Sequence, residues 1–303
     1  MGIKLYQEPN LEKPDLIVGW PGIGNIGIIA VDALRTQLRA EEFGEIEAYD
    51  FFYPNRAIIK ADLLDLEFPS SKFYFKRLEG KDLIIFIGEE QPVDGRGVYA
   101  EGRKAYRMAN LVLDVAERFN CQRVYTSGAA VALTHHTTKP RVWVVPNKEE
   151  LLGEVRRHEN TFFMSEIAGR GGQGSITGLN GLILGVAKKR GLAGVCLMGE
   201  VPDYLSGAPF PYPKASKSVL EVMTSILGIN IDFSSLDTMG ARVEELIESI
   251  YEKFPDEIKE RLEQRKVVAR AEPGVITEDD QKWIKEHIDE FFQKGSEGDD
   301  RPL

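Results

Sequence analysis

The chain has 303 residues, 43% of them hydrophobic, enough to bury the core of one large α/β domain or two smaller ones. Its formal net charge of −10, with no Lys/Arg run, disfavours nucleic acid and acidic membranes as partners and points to proteins or small molecules. Two cysteines, Cys121 and Cys196, make neither a disulfide framework nor a metal cluster, and no stretch approaches the ~20 apolar residues that span a bilayer, so a cytoplasmic setting is expected.

The first predicted element is a short apolar run, Leu16 to Val18, that leads into Gly19, Gly22, Gly24 and Gly27 and then into a helical pattern reaching about Arg39. Strand, tight turn and helix in this order place unpaired backbone N–H groups and the positive end of a helix dipole at a strand's carboxyl end. Anions bind at such places. Gly22, Gly24 and Gly27 satisfy G-x-G-x-x-G, and Glu47, in a predicted strand over residues 45–52, stands where a dinucleotide fold puts its ribose-binding acid. Against this, Trp20-Pro21 is inserted ahead of the motif and Pro21 removes a donor. Gly22, Gly24, Asn25 and Gly27 are therefore a candidate anion or ligand turn, with close packing of helix on strand as the plain alternative.

Short β-type segments follow at 57–60, 63–68 and 72–75, parted by turn residues as in hairpins or a meander. Residues 82–88 are continuously apolar, the mark of a strand buried on both faces. A helix is predicted over 97–119, then strands at 123–127 and 141–145 enclosing a loop with Gly128, His135 and His136, and a short polar helix at 148–157. A second glycine-rich loop, 168–178, leads into a helix to about Arg190 and a strand at 194–198. The segment 202–213 reads as a proline-rich loop, followed by a helix over 214–227. Beyond it Val243, Leu246, Ile247, Ile250, Tyr251 and Phe254 form an amphipathic stripe, and a last helix is predicted over 278–293 behind Thr277 as N-cap. The expected organisation is an α/β domain over 1–240, a helical extension over 241–294 and a disordered tail over 295–303.

Two predicted strand ends carry acids, Glu89 and Glu90 in one and Glu200 in the other. In a parallel sheet all three would stand just beyond carboxyl ends, where open α/β sheets hold ligands, and a carboxylate pair there suits acid/base work or sugar hydroxyls. The alternative is that each accepts hydrogen bonds from nearby loop N–H groups. The second glycine loop, with Ser175 and Thr177, either cradles phosphate or packs a helix closely; it lacks a P-loop ending. His135 and His136 are adjacent and diverge, so neither metal nor cofactor is expected. Tyr204, Phe210 and Tyr212, with Trp283, Phe291 and Phe292 in the last helix, are candidate partner contacts or else cover the core's own edges.

Four segments in order, Gly19-Trp-Pro-Gly-Ile-Gly-Asn-Ile-Gly27, Ile87-Gly-Glu-Glu-Gln-Pro92, Thr177-Gly-Leu-Asn-Gly-Leu-Ile-Leu184 and Cys196-Leu-Met-Gly-Glu200, resemble the motifs of the PAC2 family over about residues 10–240. The resemblance implies a three-layer α/β/α sandwich similar to purine nucleoside phosphorylases. It also implies a non-enzymatic, homo-oligomeric assembly chaperone whose partners are proteasome α subunits. By the same resemblance, some members dock through a C-terminal hydrophobic-Tyr-X tail. This chain ends Asp300-Arg-Pro-Leu303, with Pro in place of Tyr, so another surface or a partner subunit is expected to make any contact. The alternative from the residues alone is a nucleoside- or nucleotide-binding enzyme with its cleft at the strand carboxyl ends.

Overall fold

In the computed structural model, which describes residues 2–94, 102–166 and 172–267, the chain begins with strand β1 (Ile3–Leu5), β2 (Asp15–Gly19), helix α1 (Ile26–Leu38) and β3 (Glu41–Ile46). A hairpin of β4 (Arg56–Lys60) and β5 (Leu63–Glu67) precedes β6 (Ser71–Lys76), β7 (Leu83–Gly88) and α2 (Gly102–Arg118). Next come β8 (Arg123–Ala132), β9 (Val142–Pro146), α3 (Glu150–Val155) and β10 (Thr161–Phe162). Helix α4 (Gly178–Lys189), β11 (Ala193–Pro202), α5 (Pro213–Leu227), α6 (Ser234–Tyr251) and α7 (Asp256–Val267) complete the described chain.

One sheet of nine strands runs in the order β1-β3-β6-β7-β2-β8-β11-β9-β10. Its centre, β7-β2-β8-β11, is parallel, as continuous apolar runs demand when both faces are covered; β1, β3 and β6 join on one side as antiparallel strands and β9 on the other. Alternation along a strand divides the core in two. Ile17, Leu83 and Ile85 face α1, α3, α5, α6 and α7, while Leu16, Val18, Ile84 and Phe86 face α2 and α4. The architecture is thus a mixed α/β sandwich with helices on both sides of a central sheet. None of its described helices is long and apolar enough to cross a membrane.

Three expectations change. Strand β3 occupies 41–46 rather than 45–52, and Ala48–Asp50 is a turn of 3₁₀ helix. Glu47 accepts a hydrogen bond from the Gly2 N–H at 3.1 Å, and β6 and β7 lie between β3 and β2, so this acid stands far from the glycine turn and the dinucleotide arrangement is not formed. Strands β8 and β11 run on to Ala132 and Pro202, because Met198 to Pro202 pair with Gly128 to Ala132 and continue the ladder; Gly128 and Glu200 lie within strands, not beyond them.

Helix α6 runs across residue 240, and its Leu236, Ile247 and Ile250 enter the same core as α1 and α5. Each such fully buried side chain contributes about 1.5–3 kcal/mol, which fastens the helix to the α/β body. The predicted helix over 278–293, with Trp283, Phe291 and Phe292, and the tail over 295–303 lie outside the described residues.

Candidate functional site

The glycine turn begins where β2 ends. Trp20 is buried and its ring lies 5.2 Å from that of Phe86. Gly24 has φ +58 and Asn25 φ +49, a left-handed pair that reverses the chain into α1. Gly27 answers to a different constraint: a Cβ there would come 2.3 Å from the carbonyl oxygen of Ser127, so α1 lies directly on β8. The Ser127 hydroxyl donates to the Gly27 carbonyl at 3.3 Å, and the Gly24 carbonyl accepts from the Tyr212 N–H at 2.8 Å. Close packing thus accounts for two sides of the turn.

Its third side borders a cavity of about 100 Å³ lined by Gly22, Gly27, Gln91, Ser175, Thr177 and Asn180, among others. Gln91 spans it, donating from Nε2 to the Pro21 carbonyl at 2.6 Å and accepting the Leu179 N–H at 3.0 Å, one of the free donors at the start of α4. Two further polar atoms are buried without a hydrogen-bond partner among the described residues, Trp20 Nε1 and Asn180 Oδ1. Nothing in the sequence had singled out Gln91 or Asn180. The signal available was their place inside the two motifs that follow Ile87 and Thr177.

The acids do not join this cavity. Glu89 is exposed, and its carboxylate accepts the Ser70 N–H at 2.7 Å. Glu90 is exposed as well. Glu200 is 1% exposed and fully engaged: its carboxylate accepts from the Arg141 N–H at 3.2 Å, Arg141 Nε at 2.9 Å and Trp143 Nε1 at 2.9 Å. These partners lie on and just before β9, across β11 from the turn. Glu200 therefore ties two strands together, and the expected cleft of glycine turn plus paired carboxylates is not assembled.

In the aromatic segment before α5 it is the second alternative, cover for the core's own edge, that the structure shows. Tyr204 and Tyr212 are 4% and 3% exposed, so they cannot anchor a partner; Phe210 is half-buried against the same core. The Tyr204 hydroxyl accepts the His136 N–H at 2.9 Å and lies 2.7 Å from His136 Nδ1, while His136 Nε2 lies 3.1 Å from Glu248 on α6. These partners fix the neutral tautomer with its proton on Nε2. The ring of His135 stacks 4.1 Å from that of His136, and its Nε2 is buried 3.8 Å from Glu263. Burial pulls His135 down to about 3 and lowers His136 too, against the pull of Glu248; burial likewise pushes the Tyr204 hydroxyl up. The histidine pair is a packed joint between the sheet and the helices α6 and α7. Among the described residues no group of three or more His, Cys, Asp or Glu side chains is placed to hold a metal.

Helix α7 was not foreseen, because its surface is strongly polar. It is held by Ile258 and Leu262 in the core and by Arg265, whose side chain is fully buried and donates to Asp203 just after β11.

The sequence model of the PAC2 family matches residues 16–250. The uncharacterized protein MJ1210 of Methanocaldococcus jannaschii is 31% identical over 248 residues, 82% of this chain and 86% of that one. Among solved structures, Pyrococcus furiosus PbaB, an archaeal proteasome activator, superposes with a TM-score of 0.69 at 28% identity, covering 82% of this chain and 97% of its own. PbaA from the same organism, an archaeal homolog of proteasome-assembly chaperone, shares the fold, with a TM-score of 0.59 at 24% identity over 83% of this chain and 97% of its own. From the glycine turn at the end of β2 to the helix that closes on the histidine pair, this chain belongs to the PAC2 family.

Proposed function

We propose that this chain is a non-enzymatic, proteasome assembly chaperone-like protein of the cytoplasm that binds proteasome α subunits and acts as a homo-oligomer. The observation that carries this reading is the likeness to PbaB over nearly the whole of that protein, a proteasome activator by description. The chemistry of the strand ends supports it: the buried acid best placed for catalysis by sequence, Glu200, is spent on Arg141 and Trp143. Sedimentation velocity of the chain mixed with proteasome α subunits from the same organism tests the reading. A new, faster species is expected; absence of one at low and physiological salt overturns it.

A second reading is favoured by Asn180 Oδ1 and Trp20 Nε1, which are buried beside the small cavity without partners among the described residues. It is a small-molecule site at the strand ends, of the nucleoside or nucleotide class. A ligand at 100 times its dissociation constant stabilises the fold by about 2.7 kcal/mol. No thermal shift with phosphate, nucleosides or nucleotides removes this reading and leaves the first intact.

A further inference from the structure

Two helices begin at the same cavity. Gly22, Ile23 and Gly27 bring the start of α1 to the space of about 100 Å³ described above, and Ser175, Thr177 and Asn180 bring the start of α4. Neither start is capped by its own N-cap residue: Asn25 and Thr177 make no side-chain capping hydrogen bond, and neither helix has an acid in its first turn. Gln91 answers one of these donors, the Leu179 N–H. Trp20, 1% exposed, lines the same space and adds an indole N–H buried without a partner among the described residues. Among the described residues that line the cavity there is no Asp or Glu, and no Lys, Arg or His.

We propose that this cavity binds one phosphoryl group, as inorganic phosphate or the end of a small phosphate monoester, in its singly charged form. The inference rests on the second reading above, a small-molecule site at the strand ends, and names the group that enters it. Charge is the first argument. Each helix start carries roughly half an elementary charge, so the two together carry about one. With no cation in the wall to add to this, one negative charge is matched and a second would be buried uncompensated.

Size and hydrogen bonding select the same group. The cavity's 100 Å³ is the share of about three water molecules, and far below the roughly 300–1,000 Å³ that encloses a drug-sized ligand. A tetrahedral oxyanion fits; a whole nucleoside does not, and reaches the cavity only by a phosphoryl end. The Trp20 indole N–H needs an acceptor and Asn180 Oδ1 needs a donor. Monoanionic phosphate supplies both: oxygens for the indole and the free helix N–H groups, and a P–OH for Asn180. Sulfate has the oxygens but no proton to donate, and an ionised carboxylate likewise only accepts. Glycines keep the two amides in the wall. A Cβ at Gly128 would come 2.8 Å from Asn180 Nδ2, and one at Gly178, where φ is +74, would come 2.8 Å from Gln91 Oε1.

The test follows the Trp20 indole resonance by two-dimensional NMR of the nitrogen-labelled full chain, assigned among the three tryptophans by its loss in Trp20→Phe, during titration with inorganic phosphate at mildly acid pH. A saturable shift is expected with phosphate, and binding weaker by about tenfold or more with sulfate. Thr177 is exposed at the N-cap of α4, so Thr177→Asp puts a carboxylate at the cavity mouth and a better cap on the helix. Phosphate affinity should fall by about tenfold or more in this variant while thermal stability holds or rises. A Trp20 resonance that phosphate leaves unmoved overturns the inference, as does equal binding of sulfate or undiminished binding by Thr177→Asp. Uncharged nucleosides that move the resonance where phosphate does not overturn the phosphoryl assignment and leave the small-molecule reading standing; if neither moves it, both fall.

Discussion

Replacing Asp203 by Ala leaves Arg265 buried without its partner, and the size of the effect follows from two competing costs. The Arg265 side chain is 0% exposed and its guanidinium, which cannot give up its proton, donates to Asp203 at 2.5 and 3.4 Å. Removing one member of a buried pair costs about 3–5 kcal/mol, most of it from the charge left behind. The chain has one cheaper escape, to lift α7 off the body and return Arg265 to water. That exposes Ile258 and Leu262, at about 1.5–3 kcal/mol each. The two costs are comparable, so Asp203→Ala is expected to lower global stability by about 3 kcal/mol and to bring α7 close to detachment. Urea unfolding reads the first, and hydrogen exchange over residues 256–267 the second: their amides should lose protection before those of β2 or β8. Asp203→Leu combined with Arg265→Met should recover most of the loss, since a packed apolar pair has no charge to strand. A single variant that loses less than about 1 kcal/mol, with α7 still protected, would refute the claim that this pair holds a buried charge.

Three further outcomes are expected. His135 is held near 3 against an ordinary 6.5 by burial and by His136, Lys266 and Arg265, with Glu263 opposing, so below 6.5 the unfolded chain takes up a proton that the folded one refuses. Stability is thus full above 6.5 and falls with pH toward about 3; the share due to His135 between pH 7 and pH 5 is about 2 kcal/mol. Urea midpoints of the wild type and His135→Asn should therefore diverge over that span, and parallel curves would reject the assignment. Gly27→Ala pushes a methyl group into the Ser127 carbonyl and should destabilise by about 1–3 kcal/mol in the same assay, whereas Gly185→Ala, with open space around its Cα, should not. Glu200→Ala deprives Trp143 Nε1 and Arg141 of their acceptor; because Arg141 is 34% exposed and can turn to water, the loss should stay near 2–3 kcal/mol, measured by thermal or urea unfolding.

What the sequence made legible was whatever depends on local pattern. Residues 16–18 and 83–88 announce buried parallel strands by unbroken apolarity, and the stripe from Val243 to Tyr251 announces α6. The motif order carried the family and with it the layered fold. What depends on a distant partner was not legible. Gly128 to Ala132, small residues of low strand preference expected to open a loop, becomes strand where Met198 to Pro202 lies alongside. Glu200 was expected beyond a strand end, lining a cleft or held by loop N–H groups, because nothing nearby in sequence shows that Arg141 and Trp143 will reach it. Tyr204 and Tyr212, which the sequence left open between partner contacts and cover for the core, are drawn inward by His136 and by the Gly24 carbonyl. Helix α7 escaped because two core side chains and one buried arginine hold it among otherwise polar residues.

The position of β2 at the middle of the sheet sets a schedule for synthesis. Its neighbours are β7 and β8, with Leu16 beside Ile84 on one side and Val124 on the other. During translation this apolar strand emerges long before either partner exists, and loop closure across so much chain makes its docking a late, slow event. Until β7 and β8 follow, β2 carries two unpaired edges on an apolar strand, the arrangement from which unfinished chains aggregate.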